Sequence, residues 1–302
     1  MLLSVVLITH NEEANIARTL SSVAPLVNNG VGEVIIVDSG STDRTLEIAG
    51  SLGAKIFQEP WKGFAAQKNS AIDKAVGDWI LSVDADEEVE VQLVKAIQLI
   101  LSKPTGHTEM ELRNLTCAAG GDSLDQVEQV MAYEESLSKG TMQPEEMPVT
   151  FSGYFIPRKN HFLGRWIRRG GFWPDPKLRL FRRGYGRFQP QVVHESLKVD
   201  GYTARIENGA LVHHCYPTMN DYIEHMNRYS SLGAQMAVEK GSRSGPVDLV
   251  LRPLATLLYN YVIRLGFLDG REGLLLHLNH AAYVFWKYAK VWELAHSGDT
   301  QK

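Results

Sequence analysis

Cysteine is almost absent from this chain. Cys117 and Cys215 are its two thiols in 302 residues, far apart and outside any metal-ligand spacing. That excludes a disulfide framework and leaves two unpaired structural thiols in a reducing compartment as the simplest expectation. An excess of one sign of charge is also lacking: the formal net charge is -4, which gives no reason to expect a nucleic-acid partner. Long apolar runs are missing too. The opening MLLSVVLITHNEE lacks the basic start and small-residue cleavage site of a signal peptide and is too short to span a bilayer, so it reads as a first buried strand. No GxGxxG follows it, which argues against a dinucleotide-dependent oxidoreductase. No internal repeat or low-complexity tract is present.

What is present is an alternation of apolar runs and amphipathic stretches. LSVVLIT precedes NEEANIARTLSSV, EVIIVDSGS precedes TDRTLEIAGSLG, AKIFQE precedes GFAAQKNSAIDKAVG, and WILSVDADE precedes VEVQLVKAIQLIL. Repeated strand-helix units predict an α/β fold, a mostly parallel sheet with helices on both faces. Ligands of such sheets bind beyond the carboxyl ends of the strands. The polar clusters fall at those ends: Thr9, Asn11, Glu12 and Glu13, then Asp38 to Asp43, then Asp84 to Glu88.

The last cluster poses a question. WILSVDADEE drives an apolar strand into four neighbouring carboxylates, and crowded like charges repel unless cations or hydrogen-bond donors compensate. Asp84-Ala85-Asp86 spaces two carboxylates so that both can converge on one hard cation and its phosphates. A plainer reading is available for Glu87 and Glu88, which could simply favour the dipole of a following helix.

Beyond Pro104 the pattern breaks. Residues 105–150 read as an acidic insertion with one exposed helix near Leu124 to Leu137; the sequon at Asn114 reads as chance. Strands are expected again in SGYFIPR, PKLRLFRR and VHESLKV, extending the sheet or forming a small second one. From Arg158 to Arg187, ten basic residues face the single acid Asp175, which points to an anionic partner. Alternation in KLRLFRR leaves Arg179 either solvated or clamping phosphate. The tail from Pro246 to Leu294 reads as helical, with Leu254, Leu257, Leu258, Tyr261, Leu265 and Leu268 on one face. Leu275, Leu278, Ala282, Phe285, Ala289 and Trp292 share a face of the next helix. Interspersed charges argue against a membrane span, while apolar faces flanked by Arg252, Arg264, Lys287 and Lys290 suit a membrane surface or packing on the protein itself.

ITHNEEANI, VIIVDSGSTDRT and LSVDADEE, in this order and spacing, resemble the nucleotide-sugar domain of family 2 inverting glycosyltransferases of the GT-A fold. GGFWPDPKLRLFRRGYGRF, VVHESL and FLDGREGLLLHLNHAAYVFWKYAKVWE resemble the lipopolysaccharide-core branch, including the core β-1,4-glucosyltransferase. The resemblance implies a donor site of Thr9, Asn11, Glu13, Asp38, Lys68 and Asp84, with Asp86 as ligand of a Mg²⁺ or Mn²⁺ ion. It implies Glu195 as the catalytic base. The family often has Glu-Asp where this chain has His194-Glu195, so His194 is the alternative. Trp173, Arg179 and Arg182 are the candidates for acceptor binding; His213 and His214 are expected to be structural or acceptor-side.

The resulting expectation is a metal-dependent inverting hexosyltransferase. It moves glucose from UDP-glucose to a lipid-linked lipopolysaccharide-core acceptor, at the cytoplasmic face and peripheral on the membrane, with its oligomeric state open. Residues 1–104 would bind the nucleotide sugar, 151–245 the acceptor, and 246–302 form the amphipathic tail. The rival expectations are transfer to polyprenyl phosphate or to a capsule or exopolysaccharide precursor, and a non-catalytic membrane adaptor with a vestigial nucleotide site.

Overall fold

Successive side chains on a strand point to opposite faces, and the first strand uses both. β1 (Leu3–Thr9) sends Leu3, Val5 and Leu7 into a core with Ile16, Leu20 and Val23 of α1 (Ile16–Val27) and with Leu93 and Ile97 of α4 (Val91–Ser102). Val6 points into a second core with Ala71 and Ile72 of α3 (Phe64–Lys74). The computed structural model describes residues 2–102, 151–190 and 196–296. Residues 105–150 and Cys117 lie outside the described residues, as do His194 and Glu195.

β2 (Gly32–Asp38), β3 (Lys55–Gln58) and β4 (Trp79–Ser82) join β1 in parallel, with α2 (Thr45–Ser51) between β2 and β3 and β5 (Glu87–Val89) after β4. The sheet continues through β9 (Lys177–Arg182), β6 (Phe151–Ile156) and β12 (Tyr202–Arg205), in the order β12-β6-β9-β4-β1-β2-β3. Only β9 runs against its neighbours. Central β4 has Ile80 and Leu81 wholly buried, the continuous apolar pattern of a strand covered on both faces; each such side chain contributes about 1.5–3 kcal/mol by leaving water. β10 (Gly186–Gln189) and β11 (Ser196–Val199) form a separate antiparallel pair. The strands of the second half thus do both things expected of them: they extend the main sheet and make a smaller one.

The chain divides into two compact units, one built from the described parts of Met1–Arg158, Pro176–Pro190 and Glu195–Val212, the other from Lys159–Asp175 and His213–Lys302. The first holds the seven-stranded sheet. In the second lie all of β7 (Arg158–Phe162) after its first residue, paired with β8 (Arg165–Trp166), and the end of β13 (Leu211–Tyr216) from His213 on, which leads to α5 (Met219–Glu239). The sequence reading passed over α5. Its start is set by Thr218, which accepts from the Asp221 amide while the Asp221 carboxylate accepts from the Thr218 amide, a reciprocal cap of two otherwise orphan donors.

α6 (Pro246–Leu257), a π-helical stretch (Leu258–Ile263), a 3₁₀ turn (Gly266–Asp269) and α7 (Gly270–His296) make the tail helical as expected. α7 buries Gly273, Leu276, His277 and Val291. The faces read from the sequence stay open: Leu254, Leu258, Leu265, Leu268, Leu275, Leu278, Phe285 and Trp292 are each at least 40% exposed. Among the described residues no helix is long and apolar enough to cross a membrane.

Candidate functional site

Thr9 and Asp38 end adjacent parallel strands and face each other in register. The Thr9 hydroxyl donates to Asp38 Oδ2 at 2.8 Å, and Asp38 Oδ1 accepts from the Gly40 and Ser41 amides at 2.9 and 2.8 Å. Burial alone would push the Asp38 carboxyl up, but the bond from the Ser41 hydroxyl, with those from the Ser41 amide, Thr9 and Gly40, outweighs it and holds the group below its ordinary range. Beyond this pair the two loops zip together. Asn11 takes a left-handed φ of 56° and accepts the Thr42 amide at 2.8 Å. The Glu12 amide donates to Thr45 Oγ1 at 2.7 Å, and Glu13 accepts the Arg44 amide at 3.0 Å. Thr9, Asn11, Glu13 and Asp38, four expected donor residues, therefore share one clasp at the carboxyl end of the sheet. Asn11 and Glu13 are exposed, whereas Thr9 and Asp38 are buried and spend their polar atoms on the clasp.

The positive charge demanded by WILSVDADEE comes from the protein itself. Lys68 Nζ, on α3, lies 2.7 Å from Asp84 Oδ1, and the Arg179 guanidinium of β9 closes on both Asp84 oxygens. Glu87 is wholly buried; its Oε1 accepts from Arg179 at 3.0 Å and from Arg158 at 3.3 Å, and its Oε2 accepts the Asp84 amide at 3.0 Å. Burial would raise the Asp84 carboxyl, but Arg179 and Lys68 hold it well below the usual carboxylate range. Thr19 fixes the turn, its hydroxyl donating to the Ala85 carbonyl at 2.7 Å.

Three readings change in consequence. Asp84 spends both carboxylate oxygens on Lys68 and Arg179, so the cations that meet it are side chains of the protein. Glu87 is not a helix-dipole acid: it sits in β5 and anchors two arginines. Arg179, at 5% exposure, is not solvated, and its fork is turned onto carboxylates of its own chain. Lys68 likewise is no solvated helix lysine, being 6% exposed.

Asp86 is half-buried, and its charge acts on Glu12. Burial first, then Asp86, Asp43 and Asp84, raise the Glu12 carboxyl against the lowering effect of Asn15. Among the described residues no group of three or more His, Cys, Asp or Glu side chains is arranged to hold a metal ion. The donor set fits a hard cation held by the single carboxylate Asp86 and completed by phosphate oxygens and water, which is how Mg²⁺ is commonly bound.

The other expected residues are dispersed. Arg182 lies 4.9 Å over the Trp79 ring and donates to the Phe151 carbonyl at 3.2 Å, a packing arrangement. Trp173, in the second unit, meets Trp166 edge to face at 5.2 Å. His213 is hydrogen-bonded through Nδ1 to Asn160 at 2.8 Å, and Asn160 donates to Asp175 at 3.0 Å. Glu12, Arg158 and Glu87 were not singled out as site residues. Glu87 had a signal, four carboxylates on an apolar strand; Arg158 had none beyond its membership of the basic block.

Residues 4–106 match the family model described as glycosyl transferase family 2. Over 97% of its length the chain is 28% identical to an uncharacterized glycosyltransferase of Rickettsia prowazekii, covering 87% of that protein. It is 27% identical over 96% of its length to the lipopolysaccharide core biosynthesis glycosyltransferase LpsC of Rhizobium meliloti, covering 92% of it. Among solved structures, 33% of the chain matches 38% of glucosyl-3-phosphoglycerate synthase from Mycobacterium tuberculosis at 30% identity and a TM-score of 0.28. The clasp, the carboxylate tip of β4 and α3 with Lys68 all lie inside the matched segment, so the part of the α/β chain that is similar to glycosyl transferase family 2 is the part that carries the candidate site.

Proposed function

We propose that the protein transfers glucose from UDP-glucose, with inversion, to a lipid-linked lipopolysaccharide-core acceptor at the cytoplasmic membrane surface. The observation that carries this reading is the tip of β4. Asp86 stands beside an internally neutralised Asp84–Lys68–Arg179 pair at the same sheet edge as the Thr9–Asp38 clasp, where an open α/β sheet takes its ligand. The clasp gives the nucleoside a rigid rim, with exposed Asn11 and Glu13 as its contacting groups and Thr9 and Asp38 as their support. Lys68 and Arg179 hold Asp84 and bring positive potential close to where the diphosphate would lie. A Mg²⁺ or Mn²⁺ ion held by Asp86 would supply charge to the departing diphosphate.

Glu195, or His194 in its place, accepts the acceptor hydroxyl's proton as that oxygen bonds the anomeric carbon; the bond to the diphosphate breaks with its electron pair going to the phosphate oxygen. The likeness to LpsC supports a lipopolysaccharide-core acceptor, and the open apolar faces of the tail support docking on a lipid surface. Calorimetric titration of UDP with Mn²⁺ tests the donor site. Asp86→Ala is expected to remove the metal-dependent part of the affinity while the fold persists, and unchanged metal-dependent affinity would refute the assignment. Transfer assays with a UDP-sugar panel against truncated core lipids, polyprenyl phosphate and capsule precursors then fix donor and acceptor.

A further inference from the structure

The stretch Arg165-Trp166-Ile167-Arg168-Arg169-Gly170 places four side chains around an open cleft of about 790 Å³ in the second unit, which Leu268, Asp269 and Glu272 also line. The strap's backbone is fixed from below. Ile167 is wholly buried, and Asp269, 3% exposed, accepts the amides of Arg168 at 3.2 Å and Arg169 at 2.8 Å. The Gly170 amide donates to the Arg264 carbonyl at 3.0 Å, and its φ of 65° together with the His277 ring, 2.1 Å from where a Cβ would stand, leaves room for glycine alone. The charge of Asp269 is thus spent on backbone amides, while the guanidinium groups stay at the surface.

Their heads are arranged for an anion. Arg168 stacks 4.3 Å over the Trp166 ring, which fixes the plane of its fork and leaves the N–H edges outward. Arg169 is exposed, and among the described residues neither it nor Arg168 has a carboxylate partner. Arg165 reaches Glu272 at 3.4 Å with half its side chain exposed. Planar forks converging on an open cleft suit phosphate oxygens. The rim beside them is apolar: Leu268 is 53% exposed, and Ile263, Leu265 and Phe267 follow on the same turn at 65, 41 and 43%. A free anion gains nothing from such a rim, whereas a lipid satisfies both parts.

We infer that this cleft is a headgroup site for an anionic phospholipid, with Arg165, Arg168 and Arg169 on a phosphate whose charge no headgroup cation offsets and the Ile263–Leu268 turn among the acyl chains. This deepens the membrane-surface reading above and rests on it, adding one saturable site to a general amphipathic attraction. Flotation of the full chain with phosphatidylcholine vesicles, with and without phosphatidylglycerol, tests it. The unaltered protein is expected to bind the anionic vesicles at least tenfold better. Arg168→Gln with Arg169→Gln removes that preference, and Leu268→Asp, at an exposed position where folding is not at issue, weakens binding to both kinds of vesicle. Equal binding of both vesicles, an anionic preference that survives the arginine substitutions, or arginine-dependent binding of inorganic phosphate without vesicle binding would each overturn the inference. UDP titration of the same preparations is read separately: failed UDP binding counts against the donor site, and failed flotation with UDP binding intact counts against the headgroup site.

Discussion

Lys68 and Asp84 are held 2.7 Å apart as the outer half of a network whose inner half is Arg179 on Glu87 at 3.0 Å. Arg179 touches both acids, so its loss costs more than that of either other cation. Removing one partner of a buried pair typically costs about 3–5 kcal/mol, because the remaining charge is left desolvated. Arg179→Met is expected to fall in that range and Lys68→Met below it, since Asp84 then keeps Arg179. Urea midpoints at neutral pH give the comparison, and equal losses would show that Arg179 does not bridge the two acids.

Acid should unpick a second, more superficial pairing in a defined window. Glu59, after β3, accepts from Lys74 at 2.6 Å, Ser70 at 2.6 Å and Lys62 at 3.0 Å, which lowers its carboxyl from 4.5 to about 2. A group whose folded pKa is depressed adds stability above its unfolded pKa and loses it as pH falls toward the folded one. The difference in urea midpoint between the unaltered chain and Glu59→Gln should therefore be constant above about pH 5 and shrink to nothing near pH 2. A difference that grows on acidification would contradict the sign.

The clasp offers a test of local strain. Asn11 holds φ at 56° and accepts the Thr42 amide at 2.8 Å. Asn11→Ala forfeits the hydrogen bond and forces a Cβ residue into the left-handed region, a cost of about 1–3 kcal/mol. Asn11→Gly loses the bond but not the backbone freedom, so it should cost less. Thermal melts rank the two, and UDP titration should weaken in both if the clasp supports the nucleoside.

Much of the fold was legible because continuous apolar runs and helical stretches alternate without ambiguity from Leu3 to Leu101. The rim was legible for the same reason, since Thr9, Asp38 and Asp84 follow directly on those runs. What sequence could not reveal was which cation meets which carboxylate. Arg179 is 95 residues from Asp84 and Arg158 is 71 from Glu87, and that pairing is decided by β9 lying beside β4 in the sheet. α5 escaped because polar residues interrupt its apolar positions along most of its length, although Thr218 and Asp221 carried a cap signal. The apolar faces of the tail were read correctly as faces, but α7 buries a neighbouring stripe around Leu276 and His277 instead.

That stripe bears on how firmly α7 is attached. Lys290 Nζ donates to the Asn227 carbonyl and side chain at 3.0 and 2.7 Å and to the Ser230 and Ser231 hydroxyls at 2.7 and 2.8 Å. These contacts tie the second half of α7 to α5 within the second unit. Desolvation lowers the Lys290 ammonium from its ordinary value, so the site weighs on the charged form even while four acceptors receive it. Lys290→Met keeps the stem's packing and removes the donors, leaving those acceptors to water. At about 0.5–1.5 kcal/mol per net hydrogen bond, discounted because the group is half open to solvent and its own desolvation is relieved, the loss should be about 1–2 kcal/mol. It should be local, read as faster amide exchange around Asn227 and along the last turns of α7, with the seven-stranded sheet unaffected. Exchange that accelerates equally in β1 and β4 would show that α7 supports the whole chain rather than its own unit.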